Sequence, residues 1–264
     1  MEDFIQNIVV SQVYALMLIF TRVGTAMMIM PGIGDGFVPE RVRLLFALAF
    51  SAVMTPIIAP QLPEFTTGSV QFLVLLVGEF IMGAFIGGIA RIFMTALDTA
   101  GMFVSMQIGL ANAQIFNPQF ASQGSIMGAF LSITGALLLF ATNLHHELIT
   151  AIVQSYQTFP PGMLDSAFIG DLADTVAMAV TQAFAIGFHF AMPFIIVTTM
   201  IYIAMGILSR LMPQLQVFVL SMPIQIITGF LTFIMVASAG MMFWLTGYEN
   251  GIRMFIAPLA GGGG

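Results

Sequence analysis

Between Val176 and Leu208 run 33 residues of almost unbroken apolar character, and as one helix they would extend about 50 Å. The hydrocarbon core of a bilayer is only about 30 Å thick. The excess predicts a strong tilt, a kink at Pro193, or a part that projects into protein or water. A second run of similar length, from Val217 to Gly247, starts within SRLMPQLQVFVLSMPIQ (residues 209 to 225). The two therefore read as a long helical hairpin with its turn in that stretch, and a hairpin of this reach does not fit a plain bundle of bilayer spans.

The rest of the chain supports an all-α reading. Further apolar runs lie near residues 5 to 30, 44 to 59, 70 to 97 and 126 to 144, with a shorter amphipathic piece near 99 to 113, which gives about six hydrophobic segments. Turn-rich stretches separate them: PGIGDGFVPERVR (31 to 43), PQLPEFTTGS (60 to 69), FNPQFASQGS (116 to 125) and TFPPGMLDSAFIGDLAD (158 to 174). The last, with its Pro-Pro-Gly and its acids, marks a boundary between two parts. Gly261 to Gly264 make no structural demand and are left out of fold reasoning.

Composition narrows the class. Apolar residues make up 59% of the chain and charged residues 7%, with a mean hydropathy of +1.03, where a soluble domain would carry roughly 25% charge. This describes a polytopic membrane protein or a subunit enclosed in an apolar assembly. The six basic residues are all Arg, so a P-loop lysine, a Schiff-base lysine and a polybasic nucleic-acid surface are missing. With no Cys, disulfides, thiol catalysis and thiolate metal sites are excluded. The net charge of −6 comes from acids scattered through loops, such as Glu2, Asp3, Glu64, Asp165, Asp171 and Asp174; it names no partner. The opening MEDFIQNIVV has two acids and no base ahead of its apolar run, the wrong start for a cleavable signal peptide. Six Arg are too few to orient the spans by the positive-inside rule.

Small residues stand at helix-packing distance in two pairs, Gly83 with Gly87 and Gly124 with Gly128. Packing within the chain is the plainer reading, and a specific dimer the sharper one. The 22 Met and 26 Phe read first as core filler, while the adaptability of Met leaves open a deformable constriction.

Few residues offer chemistry. GIGD (32 to 35) matches the GxGD pattern of intramembrane aspartyl proteases, with Asp98 as the partner carboxylate. Yet Asp35 lies in a Pro/Gly-rich loop with Glu40, Arg41 and Arg43, which favours a solvated turn aspartate. His145, His146 and Glu147 are consecutive and lack a third ligand at helical spacing, so a helix end fits them better than a metal. His189 reads as a satisfied interior histidine. Four charges inside apolar runs carry more information, since each is costly in lipid and is expected to be buried, facing a protein interior or water-filled cavity: Arg22, Glu79, Arg91 and Asp98. Arg91 and Asp98 are seven residues apart on one helical face, too far to pair with each other. Such charges suit a structural ion pair, a conducting path, or a secondary transporter with broken helices.

Taken in order, several segments resemble one family, the FliR/SpaR/YscT/HrcT export-gate proteins of bacterial flagellar and type III secretion systems. TRVGTAMMIMPGIGDGFVPERVR (21 to 43) is similar to the family's Arg, Pro and Pro-x-x-x-Arg pattern, here Arg22, Pro31, Pro39 and Arg43. EFIMGAFIGG (79 to 88) with Ala100 and Gly101 resembles its central segment. GLANAQIFNPQ (109 to 119) resembles its plug loop, and LHHELITAIVQSYQTFPPG (144 to 162) its His, Ser and Pro-Gly run. SRLMPQLQVFVLSMPIQ is similar to its C-terminal signature. Gln216, Ser221 and Asn117 depart from the commoner Asn, Gly and Asp, each keeping a polar or small residue.

The resemblance implies a non-enzymatic subunit, without cofactor or metal, of a helical hetero-oligomer with FliP and FliQ, contacted by FlhB, through which unfolded flagellar substrates leave the cytoplasm. It also implies that residues 1 to 170 are similar to a FliP subunit and residues 171 to 260 to a FliQ hairpin, with much of the chain above the inner-membrane plane on the periplasmic side. In that setting Gly109, Leu110, Ile115, Phe116, Asn117 and Pro118 form an uncharged plug in the pore. Arg210, Pro213, Gln214, Gln216, Phe218 and Pro223 form the hairpin tip, where irregular backbone is tolerated because protein encloses it.

Overall fold

The computed structural model describes residues 2 to 63, 69 to 111, 125 to 162, 166 to 212, 214 and 217 to 255. Regular structure among them is helical, without strands. We number the helices α1 (Glu2–Ile29), α2 (Glu40–Ile58), α3 (Ser69–Gln107), α4 (Ile126–Ala141), α5 (Leu144–Thr158), α6 (Ser166–Leu211) and α7 (Val217–Phe255), with a single 3₁₀ turn, Ala59–Gln61, after α2. By length and apolarity α1, α2, α3, α6 and α7 can each cross a membrane, and the bent pair α4 and α5, turned by 74° at their break, would make a sixth span. The chain is an all-α membrane protein.

The long helices are longer than hydropathy alone indicates. With 46 residues α6 extends about 69 Å, and with 39 residues α7 extends about 58 Å. Pro193 and Pro223 lie inside α6 and α7 without ending them. Three expectations change. The amphipathic piece near 99 to 113 continues α3 as far as Gln107. Within PGIGDGFVPERVR the last four residues already belong to α2, because Pro39 holds the extended conformation of a residue ahead of a helix and Glu40 adds a carboxylate to the first turn. Residues 166 to 174 open α6 and are not a linker.

Two compact units divide the chain: Met1–Phe93, Leu139–Val180 and Asn250–Gly264 form one, and Met94–Leu138 with Thr181–Glu249 the other. The boundaries cut α3, α4, α6 and α7, so compactness does not follow chain order and does not bear on the two-part likeness expected around residue 170. In the first unit α1 and α3 lie side by side. Gly83 faces the backbone of Arg22, and a Cβ at Gly87 would sit 2.6 Å from the carbonyl oxygen of Ala26. The small pair thus serves packing within the chain. In the same unit Leu18, Val23, Met27, Ile86, Ile89 and Ile152 are buried.

In the second unit Gly101 of α3 meets the backbone of Gly128 of α4. The α6 and α7 helices run antiparallel, with Ile186 against Gly247, Phe190 against Gly240, and the rings of Phe194 and Phe233 tilted against each other at 6.3 Å between centroids. The expected hairpin is therefore present. Phe103 of α3 meets Phe184 and Phe188 edge-on, at 6.0 and 5.8 Å.

Candidate functional site

Arg22 is among the largest fully buried side chains and lies in the first unit. Its side chain and that of Glu79 are each 1% exposed, and an isolated buried charge would be prohibitively costly. Four of its five N–H donors are used. Nε donates to Glu79 Oε2 at 2.7 Å and Nη2 to Oε1 at 2.9 Å, while Nη1 donates to Ser155 Oγ at 3.1 Å and Nη2 to the Phe159 carbonyl at 2.9 Å. The Ser155 hydroxyl donates in turn to the Ile152 carbonyl at 2.6 Å. The guanidinium carbon lies 4.0 Å from the centroid of the Tyr156 ring, close enough for a cation–π contact. A planar fork matches this two-pronged carboxylate geometry, and an ammonium does not.

Local sequence explains why a carbonyl is waiting there. Phe159 is the C-cap of α5, and the last carbonyls of a helix have no partner inside it. Pro160 and Pro161 cannot continue the helix, and Gly162 turns the chain at φ +98°, a conformation glycine adopts freely. The FPPG sequence therefore stops α5 where its C-terminal carbonyl meets a cation, the favoured sign at that end. One arginine ties together α1, α3 and α5. A recess beside it is lined by Gly78, Glu79, Met82, Pro160, Pro161 and Phe168.

The GIGD stretch is a locked loop. The Asp35 carboxylate accepts the Gly32 N–H at 2.8 Å and pairs with the Arg91 guanidinium. Arg43 Nη1 donates to the Gly34 carbonyl at 2.8 Å. Gly32 has φ +85°, and a Cβ at Gly34 would come within 2.7 Å of the Met30 carbonyl oxygen. The backbone thus accounts for both glycines. The expected solvated aspartate is corrected: Asp35 is 16% exposed and held by Arg91.

Of the four charges singled out in the sequence, Arg22 and Glu79 are buried and joined to each other. The other two are corrected. Arg91 is 42% exposed and Asp98 is exposed, taking a hydrogen bond from the Ser132 hydroxyl. They lie on helical surface that the chain itself does not cover. Sequence reasoning missed Ser155, Tyr156 and the Phe159 carbonyl as partners of Arg22; the available signals were the serine of the family-like run 144 to 162 and the helix-stopping FPPG at its end.

The histidines differ in detail from expectation. His145 and His146 do stand at a helix end, after Asn143 in the left-handed region at φ 60°, yet their rings face each other at 4.1 Å and His145 also meets Phe140. His189 is satisfied by the Ala185 carbonyl at 2.6 Å, but it is exposed rather than interior. Among the described residues no group of three His, Asp or Glu could hold a metal ion.

The plug stretch is described only at its start. Gly109, at φ +80°, ends the path of α3 and Leu110 follows, half-buried; Ile115, Phe116, Asn117 and Pro118 lie outside the described residues. At the hairpin tip Arg210 occupies the last turn of α6 and is exposed, as is Gln214 in the turn. Pro213 and Gln216 lie outside the described residues, and Phe218 stands in the first turn of α7. Pro223 is an exposed residue inside α7, so the turn is confined to the few residues between Leu211 and Val217.

Five long apolar helices and a bent helix pair, with a buried arginine clamp in the first unit, define a polytopic membrane protein. Residues 13–251 match the family described as bacterial export proteins, family 1, and the chain belongs to that family. It is 35% identical over 244 residues to the flagellar biosynthetic protein FliR of Caulobacter vibrioides, covering 92% of this chain and 96% of that protein. It is 29% identical over 236 residues to the protein of the same name from Bacillus subtilis, covering 88% and 89%. Over 154 residues it is 34% identical to the Yop proteins translocation protein T of Yersinia pestis, covering 58% and 59%.

Proposed function

We propose that this chain is a core, non-enzymatic subunit of the flagellar type III protein export gate in the bacterial inner membrane. With FliP and FliQ it forms the gated pore for unfolded flagellar substrates, with FlhB alongside. The full-length likeness to proteins named for flagellar biosynthesis supports the flagellar assignment. The observation that carries the assembly reading is the hairpin. Its two helices exceed a bilayer in length, and within their apolar windows only 22% of α6 and 17% of α7 is buried by the chain itself. Lipid can cover only the part of such a surface that lies in the membrane. Other subunits cover the rest, which sets much of the chain above the membrane plane on the periplasmic side.

In this reading residues 1 to 170 take the place of a FliP-like subunit and residues 171 to 260 of a FliQ-like hairpin. GLANAQIFNPQ closes the pore between export events, and Arg210 with Gln214 and Gln216 meets neighbouring subunits at the tip. The experiment is recovery of the tagged full-length chain from detergent-extracted membranes, followed by mass measurement of the intact complex and identification of its subunits. A large hetero-oligomer containing FliP and FliQ is expected; a self-sufficient monomer or small homo-oligomer would return the assignment to a secondary transporter.

A further inference from the structure

Asp98 presents a charge that the chain leaves unbalanced. It sits on α3 within a candidate membrane span, exposed, with the Ser132 hydroxyl as its donor. A carboxylate on a membrane-type surface is costly unless a cation or water meets it. The chain has six arginines and no lysine, and every arginine lies among the described residues. Arg22, Arg91 and Arg253 pair with Glu79, Asp35 and Glu147, and Arg43 bonds the Gly34 carbonyl. Arg41 stands in the first turn of α2 and Arg210 in the last turn of α6. None of the ion pairs among the described residues includes Asp98.

Toward the C-terminal end of α3 the surface beyond Asp98 is apolar, while Thr95 and Arg91 lie on its N-terminal side. Met102 and Met106 continue its stripe on α3 at four-residue steps, 49% and 61% exposed, and Ile133 and Leu137, one and five residues beyond Ser132 on α4, are 58% and 65% exposed. Lipid alone suits those side chains and not the carboxylate; water suits the carboxylate and not those side chains. A helix that brings one basic residue within an apolar face suits both, and methionines adapt readily to such a neighbour.

We infer that the Asp98 face of α3 and α4 is a docking surface for a membrane helix of a different subunit, one that carries a lysine or arginine amid apolar residues. A second copy of this chain fits poorly, since its two uncommitted arginines lie in the end turns of helices. The inference rests on the assembly reading above and adds the contact and its chemistry.

The test uses the full-length tagged chain as the sole copy in a flagellated host, reading both subunits recovered per chain and swimming. Asp98→Glu keeps the charge and retains both. Asp98→Asn keeps the shape and lowers partner recovery at least about tenfold. Asp98→Arg abolishes recovery, and motile revertants selected from it replace a Lys or Arg of the partner helix with an acidic or neutral residue. Because the chain has no cysteine, Met102→Cys gives a unique label, shielded from maleimide in the complex and open in chain expressed alone. Wild-type recovery with Asp98→Asn and Asp98→Arg overturns the inference. So does an Asp98→Asn complex of normal composition that fails in export, which makes the carboxylate a working group of the conducting path. If the wild-type chain recovers no partner subunits, the assembly reading falls and this inference with it.

Discussion

Arg22 and Glu79, 57 residues apart in the chain, meet at 2.7 Å with both side chains 1% exposed, and through Ser155 and the Phe159 carbonyl the same guanidinium fastens α5. Removing one member of a buried pair strands the other charge, at a cost of roughly 3–5 kcal/mol. Arg22→Ala and Glu79→Ala are therefore each expected to lower the unfolding midpoint of the detergent-solubilised protein sharply and to reduce its abundance in membranes. Arg22→Lys recovers only part of the loss, because an ammonium cannot make the forked contact. The joint replacement of both residues by Met is less damaging than either alanine variant, and a double-mutant cycle measures that non-additivity. Equal, additive losses would mean that the pair is not coupled.

The glycines of α3 separate close packing from mere composition. A Cβ at Gly87 would meet the Ala26 carbonyl oxygen at 2.6 Å and the Ile29 Cβ at 3.1 Å, whereas one at Gly88 meets nothing within 4 Å. Gly87→Ala forces α1 and α3 apart and is expected to destabilise by about 1–3 kcal/mol. The adjacent Gly88→Ala is neutral, or stabilising by up to about 1 kcal/mol through helix propensity. Paired thermal unfolding measurements check the contrast, and a similar loss at both positions would refute it.

How much of this was legible in the sequence depends on range. The apolar runs marked α1, α2, α4 and the hairpin, since helix formation in an apolar medium is decided locally. They underestimated the hairpin, because Ser166 to Thr175 carries two aspartates that mask a helical turn pattern. The α5 helix was visible only through its His pair and FPPG, being less apolar than its neighbours. Arg22 and Glu79 could be singled out as expensive, but nothing local joins residues 57 or 133 positions apart, so the clamp was not legible. Asp35 misled for the same reason: its partner Arg91 is 56 residues away, and a loop rich in Gly and Pro reads as solvated until that partner is placed. For Asp98 and Arg91, apolar neighbours in sequence implied burial, whereas a surface that meets lipid is apolar without being covered by its own chain.

Removing residues 110 to 118 takes away the uncharged stretch, with Ile115 and Phe116, proposed to close the pore. An apolar constriction stops ions by dewetting, so its loss is expected to raise ion conductance across membranes containing the complex. Export of substrate should persist or increase. Conductance is measured in inverted vesicles or planar bilayers beside the intact complex, with subunit composition checked in each preparation. Unchanged conductance from a complex of normal composition would remove the plug role from this segment.

Arg210 distinguishes what a residue does for the chain from what it does for the assembly. It lies exposed in the last turn of α6 and no ion pair among the described residues includes it, so toward the described residues it offers a favourable charge at a helix C-terminus, about 0.3–1 kcal/mol. If it meets a neighbouring subunit at the hairpin tip, its removal there leaves an unmatched acceptor across an interface, which costs more. Arg210→Ala is expected to shift the unfolding midpoint of the isolated chain little, while lowering both the yield of the intact complex and swimming in a strain that depends on it. Arg210→Lys, which retains charge without the fork, falls between. Wild-type motility and complex yield in Arg210→Ala would leave the tip without an assembly role.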